Sequence, residues 1–372
     1  MTQLLDLPVE IIATILSSLG LSGVCALAST NKRLHSICDP FLYQQDGNGG
    51  IPRALRWASE RGKMGTFQKA LEVIEDVNIS DEDKRTALHC TAYCYNEIVD
   101  EMVKYLVESK AFLNAICFSE TALGLACKNQ NFRCAMALIK AGAELTDCLL
   151  VNCASRIEAK SQGGVVPDEV MDESARLQEA LILKLVEMGV PINWWPSNDE
   201  NGQTALMRAA CHGNTSAVEL LLRVGADANS KGANDITPLM CAVGSRNCQC
   251  VELLVNAGAD VKLKMEYGLS AIYFLPPGEI TQDTSCIWAQ LVSRGSNIEE
   301  ALWYADYGDI SILELAIYEA LEGNCLPLDL IVEHSKCVSD LSIRRVLRLL
   351  EEVEYNSSHF LERCEREVDG EW

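Results

Sequence analysis

A block of sequence recurs every 33 residues, and that recurrence restricts the chain to a linear stack of small helical units. Thr204-Ala205-Leu206-Met207-Arg208-Ala209-Ala210 opens one copy, Val218 through Leu222 fills its middle, and Gly225-Ala226-Asp227-Ala228-Asn229 closes it. Thr237-Pro238-Leu239-Met240-Cys241-Ala242, the run 251–255 and Gly258-Ala259-Asp260-Val261 repeat the order 33 residues later. Ser270 marks the phase again, 33 after Thr237. Upstream, Arg53-Ala54-Leu55-Arg56-Trp57-Ala58 precedes Thr86-Ala87-Leu88-His89 by 33, and Thr121-Ala122-Leu123 follows Thr86 by 35. Self-similarity at such a period is the mark of a repeat architecture.

Each recurring residue has a physical task. The threonine ahead of Pro or Ala caps a first helix, its hydroxyl accepting an amide that the helix cannot satisfy. Paired alanines let neighbouring helices approach closely. In the second helix the apolar residues fall at i, i+3 and i+4, as in Val218, Leu221, Leu222, in Val251, Leu254, Val255 and in Ala135, Leu138, Ile139. That spacing makes one apolar stripe. Gly225, Gly258 and Gly142 end those helices, where a left-handed residue is required. A single helix pair cannot cover its own stripe, so its neighbours must.

This pattern resembles the ankyrin repeat, with its T-P-L-H-x-A-A opening and G-A-D-x-N ending. The resemblance implies an all-α fold, an ankyrin-repeat solenoid of about seven or eight repeats over residues 51–325. One copy is interrupted by an insertion near 157–176. Its first helix is expected within 145–156 and its second at 181–188, with Gly189-Val190-Pro191-Ile192-Asn193 as its ending. Pro276-Pro277-Gly278 inserts a turn before a helix ending at Arg294-Gly295, and Ala301-Leu302-Trp303-Tyr304-Ala305 is expected to open another helix pair. Residues 326–372 are read as a helical cap with a frayed tail.

Residues 1–48 stand outside the repeat phase. Leu7-Pro8-Val9-Glu10-Ile11-Ile12, Ile15-Leu16-Ser17-Ser18-Leu19, Val24, Leu27 and Asn31-Lys32-Arg33-Leu34 form a short helical pattern, apolar over more than one face. About forty residues are too few to bury such surface unaided. The opening L-P-x-E-I-x-x-x-I-L-x-x-L resembles the F-box. That resemblance implies a small helical module docking a Skp-family adaptor, and through it a cullin–RING ligase, by way of Leu7, Pro8, Glu10, Ile11, Ile15, Leu16 and Leu19. A rival reading makes these helices only a cap on the stack.

Composition narrows the function. The chain has 372 residues with 31 Lys and Arg against 53 Asp and Glu, a net charge of −22. Such a surface repels a phosphate backbone, which argues against nucleic-acid binding, and it steers basic partners. The 17 cysteines are scattered and odd in number, unlike a secreted disulfide framework. They read as small buried hydrophobes in a reducing cytoplasm or nucleus. Before Lys32 the only charged side chains are Asp6 and Glu10, which does not fit a secretion signal, and no stretch is apolar for long enough to span a bilayer.

No nucleotide-binding loop, dinucleotide fingerprint, zinc-protease helix or nucleophile elbow occurs. His89-Cys90 with Cys94, and Cys241 with Cys248 and Cys250, lack the two short-spaced ligand couples of a zinc site; the cysteines read as helix positions of the repeat and His89 as the histidine of its T-x-L-H opening, so metal ligation is not expected. No enzyme activity, cofactor or metal is therefore expected. Following the resemblance, target-binding candidates are Trp57, Tyr93, Tyr95, Lys128, Arg208 and His212 on the concave side, and Trp194, Trp195, Lys231, Asn234 and Tyr267 at loop tips. Adjacent tryptophans in a polar loop are costly to expose unless a partner covers them. The expected role is a substrate-recognition subunit of an SCF-type ubiquitin ligase, the alternative an ankyrin binding scaffold or inhibitor.

Overall fold

Threonine hydroxyls start the first helices, as the spacing demands. Thr121 Oγ1 accepts from the Gly124 amide at 3.1 Å, Thr204 from Met207 at 3.3 Å and Thr237 from Met240 at 3.3 Å. These contacts come from a computed structural model. It describes residues 7–19, 21–28, 30, 33–34, 37–38, 51–74, 76–155, 168–196, 202–266, 268–275, 282–297, 301–304 and 308–311. The chain divides into two units, residues 1–153 with 167–184, and residues 154–166 with 185–372.

The first unit opens with α1 (Val9–Ser18) and α2 (Leu21–Ala28). Ile12 and Leu16 lie one helical turn apart on α1 and enter a core with Val24, Leu34, Cys38 and Ala54. Ala54 belongs to α3 (Arg53–Arg61), so the amino-terminal helices share their core with the first repeat. Helix α3 pairs with α4 (Met64–Val73), α5 (Ala87–Thr91) with α6 (Val99–Glu108), and α7 (Ala122–Lys128) with α8 (Phe132–Lys140). Between α6 and α7 the chain forms a two-residue-per-strand hairpin, β1 (Ile116–Cys117) with β2 (Glu120–Thr121). The unit continues through the short α9 (Leu149–Cys153) into α10 (Asp168–Glu187), where Gln178 Nε2 donates to the Cys153 carbonyl at 2.6 Å.

In the second unit α11 (Ala205–Cys211) pairs with α12 (Thr215–Arg223), and α13 (Pro238–Gly244) with α14 (Cys248–Asn256). After α12 the backbone reverses at Gly225, φ +98°, and the Ala226 amide returns to the Leu221 carbonyl at 2.9 Å. Gly258 repeats this at φ +90°. Both values lie where a side chain is penalised. The phase mark at Ser270 starts only a 3₁₀ turn (Ala271–Phe274), without a side-chain cap. Helix α15 (Gln282–Ser293) follows and packs against α14.

Asparagine joins successive copies within each unit. Asn131 caps α8 by accepting from the Cys134 amide at 3.1 Å, while its Nδ2 donates back to the Cys94 carbonyl at 2.7 Å and the Ala92 carbonyl at 3.2 Å. Asn247 does the same, accepting from Cys250 at 2.9 Å and donating to Gly213 at 3.2 Å. Asn214 caps α12 through Ala217 and donates to Ser155 at 3.1 Å, and Asn96 donates to Arg61 at 3.0 Å. All four stand ten residues after the threonine of their copy. A second set works at the loop ends. Asn78 accepts from the Phe112 amide at 2.6 Å, Asn114 from Glu144 at 2.9 Å, Asn193 from Asp227 at 3.0 Å and Asn229 from Asp260 at 2.7 Å.

Three expectations change. The stretch at 301–305 does not open a helix pair. Ala301–Tyr304 and Gly308–Ser311 form an antiparallel hairpin, β3 with β4. Ala301-Leu302-Trp303-Tyr304 is a short continuous apolar run, which periodicity alone assigns to neither strand nor helix. Cys248 of α14 and Cys286 of α15 are joined in a disulfide, where the sequence suggested reduced thiols throughout. Two packed helices bring these side chains together across a separation of 38 residues that has no sequence signature. The helix expected within 145–156 is only five residues long, Leu149–Cys153. Of the insertion expected near 157–176, residues 168–176 belong to α10 and residues 157–167 lie outside the described residues, as do the turn at 276–278 and the cap at 326–372.

Removing one clamp tests the asparagine account. Asn131 is 3% exposed, so Asn131→Ala leaves a helix amide and a neighbouring turn carbonyl buried without partners. The expected loss is about 2–3 kcal/mol in urea unfolding. Asn96→Ala, at an exposed position, should cost about 1 kcal/mol or less.

Candidate functional site

Among the described residues, exposed apolar side chains stand on the outer face of α1 and at the hairpin of the first unit. On α1 the helical period sorts the residues. Ile12 and Leu16 point inward at 1% and 2% exposure, whereas Val9 and Ile11 face outward at 49% and 48%. Pro8 and Glu10 are exposed beside them, and Ile15 is half-buried. Leu7 and Leu19 pack partly against the core. The expected adaptor set is therefore divided. Leu16 belongs to the module's own interior and cannot meet a partner directly, a correction that follows from its position four residues after Ile12. Pro8, Glu10 and Ile11, with Val9, form the outward face.

The target-binding candidates are placed as follows. Tyr93 and Tyr95 lie in the turn between α5 and α6, exposed, with Tyr95 Oη donating to the Asn129 carbonyl at 2.9 Å. Trp57 is half-buried on α3, and Lys128 is exposed at the end of α7. Arg208 is half-buried on α11, and His212, beyond its end, holds the Arg208 carbonyl through Nδ1 at 2.8 Å. Lys231 is exposed but paired with Asp235 at 3.1 Å, and Asn234 between them is exposed. Trp194 and Trp195 are both half-buried, and the Trp195 ring lies so close to Gly202 that a Cβ there would meet Cε3 at 2.4 Å. That ring packs against backbone within its own unit while remaining partly exposed. Tyr267 lies outside the described residues.

Sequence reasoning missed the hairpin side chains. Phe112, Ile116 and Phe118 are 66%, 65% and 73% exposed, the largest values among the large hydrophobics described. Ile116 faces outward from β1 and Phe118 stands exposed in the turn that follows, while Cys117 between them turns in and donates to the Asp83 carbonyl at 3.1 Å. The turn residues Phe118 and Ser119 both have positive φ, +48° and +67°. Hairpin turns of that kind strongly favour Asn-Gly, and a bulky residue there is strained. The absence of that dipeptide is why the hairpin was invisible in the sequence.

His89 anchors this hairpin. Its Nδ1 accepts from the Thr86 amide at 3.1 Å, which fixes the proton on Nε2, and Nε2 donates to the Ala115 carbonyl at 3.1 Å. Burial lowers its pKa below the ordinary histidine range. Burial also pushes the Cys90, Cys134 and Cys153 thiols up to about 12, which keeps them protonated core side chains. Cys211 moves the other way, to about 7, because the Cys241 thiol donates to it, with Gln203 Nε2 at 3.2 Å. Among the described residues no group of three His, Cys, Asp or Glu could hold a metal ion, and no helix is long and apolar enough to cross a membrane.

Comparison with known families agrees with this geometry. The model described as ankyrin repeats (3 copies) matches residues 55–147 and 175–265, and the model described as F-box-like matches residues 4–45. The chain is an F-box-like module followed by ankyrin repeats. Its structure is similar to the crystal structure of the human ASB11 ankyrin repeat domain, with 21% identity and a TM-score of 0.50 over 63% of this chain and 96% of that one. It also matches the ankyrin repeat domain of Bcl-3, a member of the IkappaB family, at 20% identity and a TM-score of 0.43 over 62% and 95% of the two chains. At these identities the likeness concerns the fold. A search of curated proteins returns no match.

Protonation of His89 would set its Nδ1–H against the Thr86 amide and open the capping box. Because the folded pKa is lowered, the neutral ring stabilises the fold fully above the unfolded value of about 6.5, and that stability is lost as pH falls below it. The melting temperature of the wild type should therefore drop more steeply between about pH 6.5 and 5 than that of His89→Gln.

Proposed function

We propose that this protein-interaction chain is the substrate-recognition subunit of an SCF-type E3 ubiquitin ligase. The F-box-like module docks a Skp-family adaptor, and the ankyrin repeats hold a target protein. The observation that carries this reading is the division of α1. Its inner face is fixed in a core with Ala54, and its outer face presents Pro8, Val9, Glu10 and Ile11 to solvent. Burying each apolar side chain of that face against a partner is worth about 1.5–3 kcal/mol. Catalysis in this reading belongs to the other ligase subunits, and the chain contributes proximity by tethering target to enzyme. Cytoplasm or nucleus is the compartment in which such an assembly would work.

A second reading has its own support. Ala54 of the first repeat sits in the same core as Ile12 and Leu16, which suits helices that merely cap a binding scaffold. Co-purification with a Skp-family adaptor separates the two. Ile11→Asp alters a side chain that is 48% exposed, so the melting temperature should stay within about 2 °C of wild type while adaptor recovery is lost. Leu16→Ala should instead destabilise the module by about 2–5 kcal/mol, because the side chain is 2% exposed. A wild-type chain that never recovers adaptor leaves the scaffold reading standing.

A further inference from the structure

The fingertip at residues 112–119 is built to hold apolar side chains in water. Four contacts fix it from both sides. Asn78 accepts the Phe112 amide, Asn114 accepts the Glu144 amide, His89 holds the Ala115 carbonyl and Cys117 donates to Asp83. Phe112, Ile116 and Phe118 thus stand on a rigid support, and little conformational freedom remains to be lost when they are covered. Phe118 keeps its place at a φ of +48°, where glycine or asparagine would be easier. Strain retained at an exposed aromatic points to use of the aromatic itself.

The surroundings state the charge of what covers it. On this finger and its two neighbours Asp76, Glu82, Glu144 and Asp147 are exposed carboxylates, against Lys84 and Lys110 as exposed cations. Arg85 is engaged by Asp81 at 3.0 Å and by Asp83 at 2.6 Å. A second copy of this chain would bring the same excess of negative charge, −22 overall, and would be repelled. We propose that this fingertip docks a segment of a partner protein in which apolar anchor residues are flanked by lysine or arginine. This rests on the reading of the repeats as the target-binding half of the chain and adds the chemistry of the segment recognised.

Selection of a displayed library of random peptides, about twelve residues long, on the full chain tests it, with the double variant Phe112→Ala/Phe118→Ala as counter-selection. Enriched peptides are expected to combine bulky apolar residues with lysine or arginine. Synthesised with a fluorophore, they should bind wild type about tenfold or more tightly than the double variant, and more weakly as salt rises. The charge reversal Glu82→Lys/Glu144→Lys should weaken the same peptides about tenfold without touching the apolar residues, and it serves as the reading if the double variant melts early. Enrichment of peptides without basic residues, equal binding to wild type and variants, or no enrichment at all overturns the proposal. So does a concentration-dependent dimer in sedimentation that Phe112→Ala/Phe118→Ala abolishes, which assigns the fingertip to self-association. Adaptor recovery by the double variant should equal wild type, so failure here is separable from failure of the ligase reading.

Discussion

Side-by-side packing of helix pairs is the interaction on which everything else in this chain depends. Each second helix carries one apolar stripe, and Val218 and Leu221, like Val251 and Leu254, reach full burial only because another copy lies against them. The packing is short-range and apolar, and by itself it leaves the angle and register between copies loosely set. Asparagine supplies what is missing. One amide side chain both ends the unsatisfied amides of its own helix and grips the carbonyls of the preceding turn, so a cap and a clamp are made by the same atoms.

A stack held in this way has consequences for its surface. Helices and turns are spent on contacts within the array, and the loops between copies are left to vary. The hairpin at 116–121 illustrates the freedom and its limit. Its inward side is fixed by Cys117 and by the backbone carbonyl that His89 holds, and its outward side carries Ile116 and Phe118. A rigid base with an apolar, solvent-facing tip is the arrangement that protein recognition favours, because little order must be imposed at the moment of binding.

The amino-terminal module obeys the same economy on a smaller scale. It is too short to enclose all its apolar residues, and it resolves the surplus by direction. Ile12 and Leu16 join a core with Ala54, while Val9 and Ile11 remain outside. The division matters for function, since a face that is buried cannot dock and a face that docks cannot be needed for folding. Buried thiols fit the same logic. Cys134 takes the position that Val99 and Ala217 hold in other copies, and desolvation keeps Cys90, Cys134 and Cys153 protonated.

The sequence by itself determined the repeat period, the threonine caps, the left-handed glycines at 225 and 258 and the two-part order of module and array. Those features depend on backbone geometry within a few residues, which residue type and spacing report directly. The tertiary structure decided which copy each asparagine grips, that Leu16 faces inward, that Trp195 lies on Gly202, and that residues 301–311 pair as a hairpin. It also brought Cys248 to Cys286 and exposed Phe112, Ile116 and Phe118. Each of these depends on a partner tens of residues away or on the direction of a side chain around its helix. A run such as Ala301-Leu302-Trp303-Tyr304 is compatible with either periodicity until a neighbouring strand selects one.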